Sequence, residues 1–541
     1  MWEVNPVKQK INKLTLVTLF LLLCIVSKAS QQDINAEKRR EKEEWLRKEE
    51  KEIKDKKYVL NKIEEISGLK GTLIKRLNVS GNTIMAEIEI EEILEKYIGK
   101  KGGNIINCMK ELENLYLKKG YLTTRIKIDV EHTKIKEGEI IFVVIEGHIE
   151  EIVFKDEKFD NLLREKVSLP YKKGDLLKIR DLDQGIDNLN AVSRNNSKFD
   201  LIPGKELGGS IVEISNKRSK LISGSLNYNN LGQKSTGDER WKVSLKIEDL
   251  LGVSDSLRGS YQKRLGRTKD RRDNANYSLG YRVPYRYWNF SITKDSSNYL
   301  SSRHGLNQLY KFNGVSENIN YGADRVIYRN ENTKTSLGMT LTNKETKNYF
   351  EKIKLDSSSR KLSILKTSLS DQRKVLNGVL YSTISYHRGL DMFGAESDED
   401  KNLNTPKAQF DKYTADFNWY KPFNIKKQKF AYRFAVNSQY SDDILYSSEK
   451  MSIGDDTTVR GFKENSLQGD KGIYIRNEIS YTYKIFEPFI GYDIGRVKDV
   501  YKDRLYNKYG SKLSGISMGL RVSWKYFPVS HIPKELNHQV T

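Results

Sequence analysis

The chain has 541 residues, of which 94 are Lys or Arg and 72 are Asp or Glu, so its formal net charge is +22. Hydrophobic residues make up only 37% of it, which excludes a bundle of membrane helices, because each such helix needs about 20 apolar residues. The 31 Tyr, 18 Phe and 6 Trp are too many for a disordered chain. The basic residues are spread along the chain, so a nucleic acid is not the expected partner.

Residues 1–29 have the pattern of a signal peptide. Three lysines precede an apolar run from Leu14 to Val26, and the small residues Ser27 and Ala29 follow it. The alternative is an uncleaved membrane anchor, but this run is short for a membrane span. We therefore expect the chain to be exported from the cytoplasm.

The segment 30–66 is dominated by charge. From Glu37 to Lys57, 18 of 21 residues are charged, and pairs such as Glu43 and Arg47 stand four residues apart with the acid first. Because Glu and Lys are good helix formers, this pattern predicts a polar helix. It is either a solvated spacer or a helix that lies in a water-filled lumen.

Residues 67–147 and 148–217 are predicted to form two small α/β modules. The first has the order strand, helix, helix, strand, strand, and Gly120 is placed to end its second helix. The second repeats this style, and one of its helix faces carries Ile179, Leu182, Ile186 and Leu189. Neither module has a catalytic, phosphate-binding or metal-binding pattern. We expect binding modules, with no catalytic residue, cofactor or metal.

From residue 218 the hydrophobic period changes to two. On one strand, apolar Trp241, Val243, Leu245 and Ile247 alternate with Lys242, Ser244, Lys246 and Glu248. Such strands fit a soluble sandwich or propeller with its apolar face inward, or a membrane barrel with that face outward. Export of the chain favours the barrel, as does the lack of a blade-like repeat.

Aromatic residues near the strand ends also favour the barrel, because such residues form girdles at membrane interfaces. They are Tyr285, Tyr287, Trp288, Trp419, Tyr420, Trp524 and Tyr526. In lipid every backbone N–H and C=O must be paired, so a closed barrel is the sheet that can span. Residues 218–541 are therefore predicted to form a transmembrane β-barrel. Its inner face would line a wet pore with Lys242, Lys246, Arg282 and Arg433.

Two motifs stand in the second half of the chain. The segment 448–470, between two predicted strands, contains Gly454-Asp455-Asp456-Thr457-Thr458-Val459-Arg460-Gly461-Phe462. Further on is the strand Phe489-Ile490-Gly491-Tyr492-Asp493-Ile494-Gly495-Arg496-Val497. At these residues the sequence resembles the two-partner secretion transporters, the haemolysin secretion proteins of the FhaC/ShlB/HecB type.

The two modules in turn resemble the paired POTRA domains of that family. The matching elements are Ser80-Gly81-Asn82-Thr83, Gly120-Tyr121, Glu146-Gly147 and Pro203-Gly204. The resemblance extends over about residues 70–527, and it implies a barrel of about sixteen antiparallel strands. Only 13 residues follow Pro528, so at least one closing strand is not accounted for. The chain is either truncated or frame-shifted, or its barrel closes with fewer strands.

The resemblance also implies a role for the two motifs. Val459–Phe462 is similar to the loop that the family folds back into the barrel lumen, and Asp493, between Gly491 and Gly495, is similar to the inward aspartate that pairs with the loop arginine. A bidentate contact between Arg460 and this carboxylate would hold a loop that gains little from apolar burial. Gly461 would permit a tight backbone, and Phe462 would pack against the wall. The alternative is an exposed Arg-Gly turn and a strand-end aspartate.

The function that the resemblance implies is export without enzymatic activity. We expect a monomeric pore in the outer membrane of a Gram-negative-type cell, surrounded by lipid, with the POTRA-like modules in the periplasm. It would recognise and secrete, without ATP, a large unfolded partner exoprotein of haemolysin or adhesin type that carries an N-terminal secretion domain. The charged helix would be a plug inside the resting pore.

Three alternatives stay open at this point. An outer-membrane assembly factor of the same superfamily usually carries more POTRA modules than two. A secreted β-rich adhesin or enzyme would have a soluble sandwich, and a passive porin would lack the N-terminal modules.

Overall fold

The structure is a computed structural model. It describes residues 71–540 apart from 157–158, 160–161, 233–237, 266–272, 305–308, 463–464, 502, 504–509 and 524–537. The predicted signal peptide and charged helix lie outside the described residues, as do Trp524 and Tyr526.

The first module is a three-stranded sheet covered by two helices. Its elements are β1 (Arg76–Ser80), α1 (Glu87–Glu95), α2 (Ile105–Lys119), β2 (Arg125–Ile128) and β3 (Glu139–Ile145), with short 3-10 helices at Gly102–Asn104 and Ile135–Glu137. β3 lies between parallel β1 and antiparallel β2. The buried face of α2 carries Cys108, Leu112 and Tyr116 into the core. Gly120 ends α2 with a φ of 95°, as its position in the sequence predicts.

The second module repeats this order. Its elements are β4 (His148–Phe154), α3 (Leu162–Ser168), α4 (Ile179–Leu189), β5 (Asn195–Pro203) and β6 (Gly209–Arg218). β6 lies between parallel β4 and antiparallel β5. The predicted apolar face of α4 is buried in the module core. The sequence pattern does not reveal β5, because the first half of this strand, Asn195–Lys198, is polar throughout. In the part of the chain that the structure describes, no helix combines the length and the apolar character needed to span a bilayer.

The rest of the described chain forms one large antiparallel sheet and a small hairpin. Its strands are β7 (Ile222–Asn229), β8 (Arg240–Glu248), β9 (Ser256–Arg264), β10 (Asp273–Tyr285), β11 (Trp288–His304), β12 (Leu309–Arg329), β13 (Thr333–Phe350), β14 (Ile353–Lys354), β15 (Arg360–Val375), β16 (Gly378–Leu390), β17 (Asp411–Ile425), β18 (Gln428–Tyr440), β19 (Met451–Ile453), β20 (Leu467–Gly469), β21 (Lys471–Thr482), β22 (Phe486–Lys498), β23 (Ser511–Val522) and β24 (His538–Val540).

Strands of the large sheet pair in chain order. The path runs from β7 to β24, with β14 attached to β13, whereas among the described strands β19 and β20 pair only with each other. Among the described residues the path ends at β7 on one side and at β24 on the other, and β24 pairs with the last three residues of β23. The described path thus contains fifteen strands, where the resemblance implies about sixteen.

The two faces of the sheet have the predicted polarity. Large apolar side chains on the outer face are open, as at Leu245 (57% exposed), Ile516 (70%) and Met518 (72%). Their strand neighbours Lys246 and Ser517 point to the opposite, inner face. An apolar face on the outside is the pattern of a sheet surrounded by lipid, whereas a sandwich would pack that face inside.

The second module is fastened to the turns at one end of the sheet. Asn188 Nδ2 donates a hydrogen bond to the Arg286 carbonyl oxygen in the β10–β11 turn (2.6 Å), and Arg329 Nη1 at the β12–β13 turn donates one to Asp187 Oδ2 (2.7 Å). The Tyr287 hydroxyl bonds Asp181, so Tyr287 joins the module to the sheet. The long connections 391–410 and 441–470 therefore lie at the opposite end.

Candidate functional site: a loop anchored inside the sheet

The connection 441–470 between β18 and β21 turns back onto the inner face of the sheet. Within it β19 and β20 form a three-residue antiparallel hairpin that packs against β22. Ile453, Val459 and the wall residue Val497 form a small buried core. Phe462 packs against this core. A segment that would otherwise be a surface loop is therefore held against the inner wall.

Arg460 makes a bidentate ion pair with Asp493 on β22. Its Nε donates to Asp493 Oδ2 (2.6 Å) and its Nη2 donates to Oδ1 (2.8 Å). The backbone N–H of Arg460 donates to Oδ2 as well (3.2 Å). Asp493 has no solvent exposure, and besides the loop arginine it has Arg476 Nε of β21 at 4.0 Å from Oδ1. A guanidinium fork matched to a carboxylate fixes orientation as well as position.

A second carboxylate, Glu478 on β21, holds the remaining side of the guanidinium. Arg460 Nη1 donates to Glu478 Oε2 (2.8 Å), while Arg521 and Arg433 of the wall donate to Oε1 (2.6 and 3.1 Å). Glu487 Oε1 accepts from the same two wall arginines (2.9 and 3.0 Å). Three arginines and three carboxylates thus form one network that joins the loop to β18, β21, β22 and β23.

Glycines leave the space that this network needs. A Cβ atom at Gly491 would collide with Arg460 Nη2, and one at Gly515 would collide with the Arg460 carbonyl oxygen. A Cβ atom at Gly495 would lie 2.9 Å from Val459 Cγ2. The wall beside Asp493 therefore admits the loop only because three inward positions lack a side chain.

Gly461 serves the loop in another way. Its φ is 102°, a backbone conformation that favours glycine, and a Cβ atom there would have no neighbour within 4 Å. Gly461 thus turns the chain sharply between the anchored Arg460 and the packed Phe462.

The loop tip has its own internal bonds. Asp455 Oδ1 accepts hydrogen bonds from the backbone N–H groups of Thr457 and Thr458 (2.8 Å each). Arg476 Nη1 on the wall donates to the Thr457 carbonyl oxygen (2.5 Å). The tip therefore keeps a defined shape next to the anchor.

The structure brings together most of the residues that the sequence marks. Val459, Arg460, Gly491, Asp493 and Gly495 meet in one place, and Phe462 lies beside them. Sequence reasoning placed Arg433 on the pore face but did not predict its partners, and it did not identify the network residues Glu478, Arg521 and Glu487 or the glycine Gly515. The period-two alternation puts each on the inner face, but no local pattern says that they meet.

Among the described residues, no group of His, Cys, Asp and Glu has the geometry to hold a metal ion. What the geometry can do is hold a polypeptide segment inside the sheet by charge and shape.

Comparison with known proteins gives this arrangement a family. The model of the haemolysin secretion/activation protein ShlB/FhaC/HecB matches residues 208–522. A ShlB-type POTRA domain model matches residues 72–147, and a second POTRA domain model matches residues 148–203. The chain belongs to the ShlB/FhaC/HecB family.

Individual relatives agree with this assignment. The chain is 32% identical to the haemolysin transporter protein HpmB of Proteus mirabilis over 79% of its own length and 75% of HpmB. It is 30% identical to the haemolysin transporter protein ShlB of Serratia marcescens over 78% of its length and 74% of ShlB. The structure of CdiB from Escherichia coli superimposes with a TM-score of 0.77 at 25% identity, covering 83% of each chain.

These relatives settle the class of protein and its place in the cell. The protein is an outer-membrane transporter of the two-partner secretion class, with two POTRA domains in the periplasm ahead of a β-barrel. The relatives are transporters rather than enzymes. They favour secretion of a partner protein over the assembly of other barrels.

Proposed function

We propose that this pore exports one large unfolded partner protein, and that Arg460 and Asp493 hold the loop 448–470 inside its lumen. The observation that supports the proposal is the bidentate pair between Arg460 and the fully buried Asp493, on the inner face of a sheet whose outer face is apolar. This pair holds the loop in place. Moving the loop away would separate Arg460 from Asp493 and leave a buried charge without its partner.

The partner that we propose is a haemolysin-type or adhesin-type exoprotein with an N-terminal secretion domain. HpmB and ShlB are both named as haemolysin transporters. Each POTRA domain has a three-stranded sheet, with β1 and β2 at the edges of the first and β4 and β5 at the edges of the second. An extended client can add to such an edge through main-chain hydrogen bonds. Folding of the client outside the cell would then prevent its return, so transport needs no ATP.

The remaining features of the proposal concern the state of the pore. We propose that it acts as a monomer in outer-membrane lipid, without enzymatic activity and without a nucleic-acid partner. The charged helix at Glu37–Lys57 would occupy the lumen as a plug before the client enters.

Co-expression with a candidate partner tests the role of Arg460. The candidate is a large, repetitive secreted protein encoded beside this chain, and its amount in the medium is compared for wild type, Arg460→Ala and Arg460→Lys. We expect Arg460→Ala to insert but to lose most export. Arg460→Lys keeps the charge without the fork and should export at an intermediate level. Wild-type export by inserted Arg460→Ala would reject the proposed role.

A further inference from the structure

A second group of charges holds the other end of the same loop. Glu449 Oε1 accepts a hydrogen bond from Lys344 Nζ (3.0 Å), and Oε2 accepts one from Lys412 Nζ (2.9 Å). The side chains of Glu449 and Lys412 are 9% and 8% exposed. We call these three residues the base clamp. It shares no residue with the network around Arg460.

The base clamp joins parts of the wall that are far apart in the sheet. Lys344 is on β13 and Lys412 is on β17, three strand positions away. Strands are spaced about 4.8 Å apart, so the path along the sheet between them is about 14 Å. Both ammonium groups reach one carboxylate because the inner face is concave at this point.

Backbone contacts strengthen the clamp at the start of the loop. Lys412 Nζ also donates to the Glu449 carbonyl oxygen (3.3 Å), and Lys344 Nζ donates to the Ser448 carbonyl oxygen (3.3 Å). Gln439 Nε2 on β18 donates to the Glu449 carbonyl oxygen (3.0 Å) and to the Asp470 carbonyl oxygen (3.3 Å). The side chain of Gln439 thus ties the loop entry to the loop exit.

The two attachments make the loop cross the interior. Glu449 is bound to β13 and β17, whereas Arg460 is bound to β21 and β22. β13 and β22 are six positions apart in the sheet. Lys450, next to Glu449, donates to Asp499 Oδ2 just after β22 (2.6 Å), and β19 then packs against β22. The loop entry at Glu449 and Lys450 is therefore a chord that links the β13 and β17 side of the concave face to the β22 side, and it takes up space that an extended client would need.

The two attachments differ in how readily they can open. Arg460 presents a planar fork to two carboxylates in a cradle of glycines. The lysines of the base clamp are point charges on flexible stems, and they lack the planar fork that fixes Arg460 on its carboxylates. Fewer geometric constraints therefore hold the base clamp than hold Arg460.

We propose that Glu449 positions the loop in the resting pore. The base clamp sets the resting position of the chord and keeps the pore narrow, and it opens while Arg460 stays on Asp493. This inference rests on the proposed pore function and adds to it the place where the loop swings.

Pore conductance tests the base clamp without any client. Purified full-length protein is placed in planar lipid bilayers, and the mean conductance of Glu449→Gln is compared with that of wild type. Glutamine keeps the shape but removes the charge that holds two lysines, so we expect roughly a two- to threefold higher conductance. Glu345→Gln is the matched control, because Glu345 pairs with Lys347 within β13 (3.0 Å), next to Lys344 but outside the base clamp. It should conduct like wild type.

A charge exchange separates a specific contact from general damage. The double variant Glu449→Lys with Lys412→Glu restores an opposite pair in the same place, so its conductance should return toward the wild-type value. If Glu449→Gln does not insert, Lys344→Gln is measured instead, because it removes one of the two lysines that donate to Glu449. Wild-type conductance in an inserted Glu449→Gln or Lys344→Gln barrel would overturn the proposal.

Export measured in the same variants distinguishes the two hypotheses. Glu449→Gln should still export the partner because Arg460 remains anchored, whereas Arg460→Ala should not. A wild-type chain that exports no partner would contradict the proposed function. The conductance of the variants would still test whether the base clamp holds the loop. Equal loss of export in both variants would contradict the separate roles of the two attachments.

Discussion

Arg164 of the second POTRA domain and Asp249 of the β8–β9 turn form an ion pair in which Arg164 Nη2 donates to both carboxylate oxygens (3.0 and 2.8 Å) and each side chain is only 3% exposed. The pair is held from both sides. Arg164 Nη1 donates to the Phe159 carbonyl oxygen (2.7 Å), and Asp249 Oδ1 accepts from the Ser254 backbone N–H (2.8 Å). A buried ion pair that is held by contacts on both sides orients one body on another. The second POTRA domain is therefore seated on the sheet in one defined way.

We call the contact of the second POTRA domain with the sheet, made by Arg164 with Asp249 and by Asp187 with Arg329, the seat. Arg164→Ala should loosen it. Removal of one partner of a buried pair costs about 3–5 kcal/mol, because the other charge is left buried and unpaired. We expect faster hydrogen exchange in α3 and in the 249–255 turn, measured by mass spectrometry on the full chain. Arg180→Ala is a suitable control, since Arg180 pairs with Asp183 inside the same module. Unchanged exchange in Arg164→Ala would show that the seat depends on other contacts.

The seat should also respond to strong acid through Asp187. Burial opposes its ionisation, but Arg329 and Lys334 outweigh burial and lower the pKa of Asp187 below its ordinary value of 3.8. A lowered folded-state pKa contributes stability that is complete above 3.8 and is lost as the pH falls through the folded-state value. The seat should thus be stable at neutral pH and should weaken only in strong acid.

The Asp187→Asn variant isolates this response. It cannot ionise, so it should be less stable than wild type at about pH 6, and the difference should shrink toward about pH 3. The measurement is the unfolding temperature of the full chain in detergent by circular dichroism at several pH values. A constant difference across that range would assign the pH response to other groups.

Gly491→Ala should displace Arg460 from its carboxylates. The added methyl group would collide with Arg460 Nη2 and would lie 2.8 Å from Ser517 Oγ. We expect an inserted barrel with export reduced by about tenfold or more, since misplacement of a positioning group by about 1 Å can cost about a hundredfold. Gly259→Ala is the matched control, because its Cβ would lie 4.0 Å from Leu279 Cδ1 on the outer face. Equal export by the two variants would contradict the cradle.

The sequence predicts which face of the sheet a residue lies on better than it predicts which side chains contact each other. The period of two assigns Lys246 and Ser517 to the inner face because successive side chains in a strand alternate. The pairing of Arg460 with Asp493 comes from a family motif. Neither source predicts that Glu449 meets Lys344, since these residues are 105 positions apart in the chain. Such contacts depend on the curvature and register of the sheet, which no short window of sequence contains.

In the two modules, too, local signals can be predicted from the sequence and long-range contacts cannot. Gly120 marks the end of α2 because a left-handed C-cap favours glycine whatever the tertiary context. The polar half of β5 gives no such local signal, and its place beside β6 is decided by pairing. The seat of the second module likewise depends on Arg164 and Asp249, which lie 85 positions apart.

Glu478→Gln should separate the loop anchor from the wall that supports it. Glu478 accepts hydrogen bonds from Arg460, Arg433 and Arg521, and its side chain is 8% exposed. Loss of its charge leaves three guanidinium groups with one carboxylate fewer. The barrel should therefore lose stability by an amount close to that of a broken buried pair, about 3–5 kcal/mol. We expect a lower temperature for the mobility shift of the folded barrel in gels, together with reduced export.

Glu487→Gln is the control for Glu478→Gln. Glu487 accepts hydrogen bonds from the same wall arginines, Arg433 and Arg521, and the network contains no bond between Glu487 and Arg460. It should therefore lower the unfolding temperature of the barrel while export stays near the wild-type level. A Glu487→Gln variant that loses as much export as Glu478→Gln would mean that wall stability, and not the hold on Arg460, limits transport.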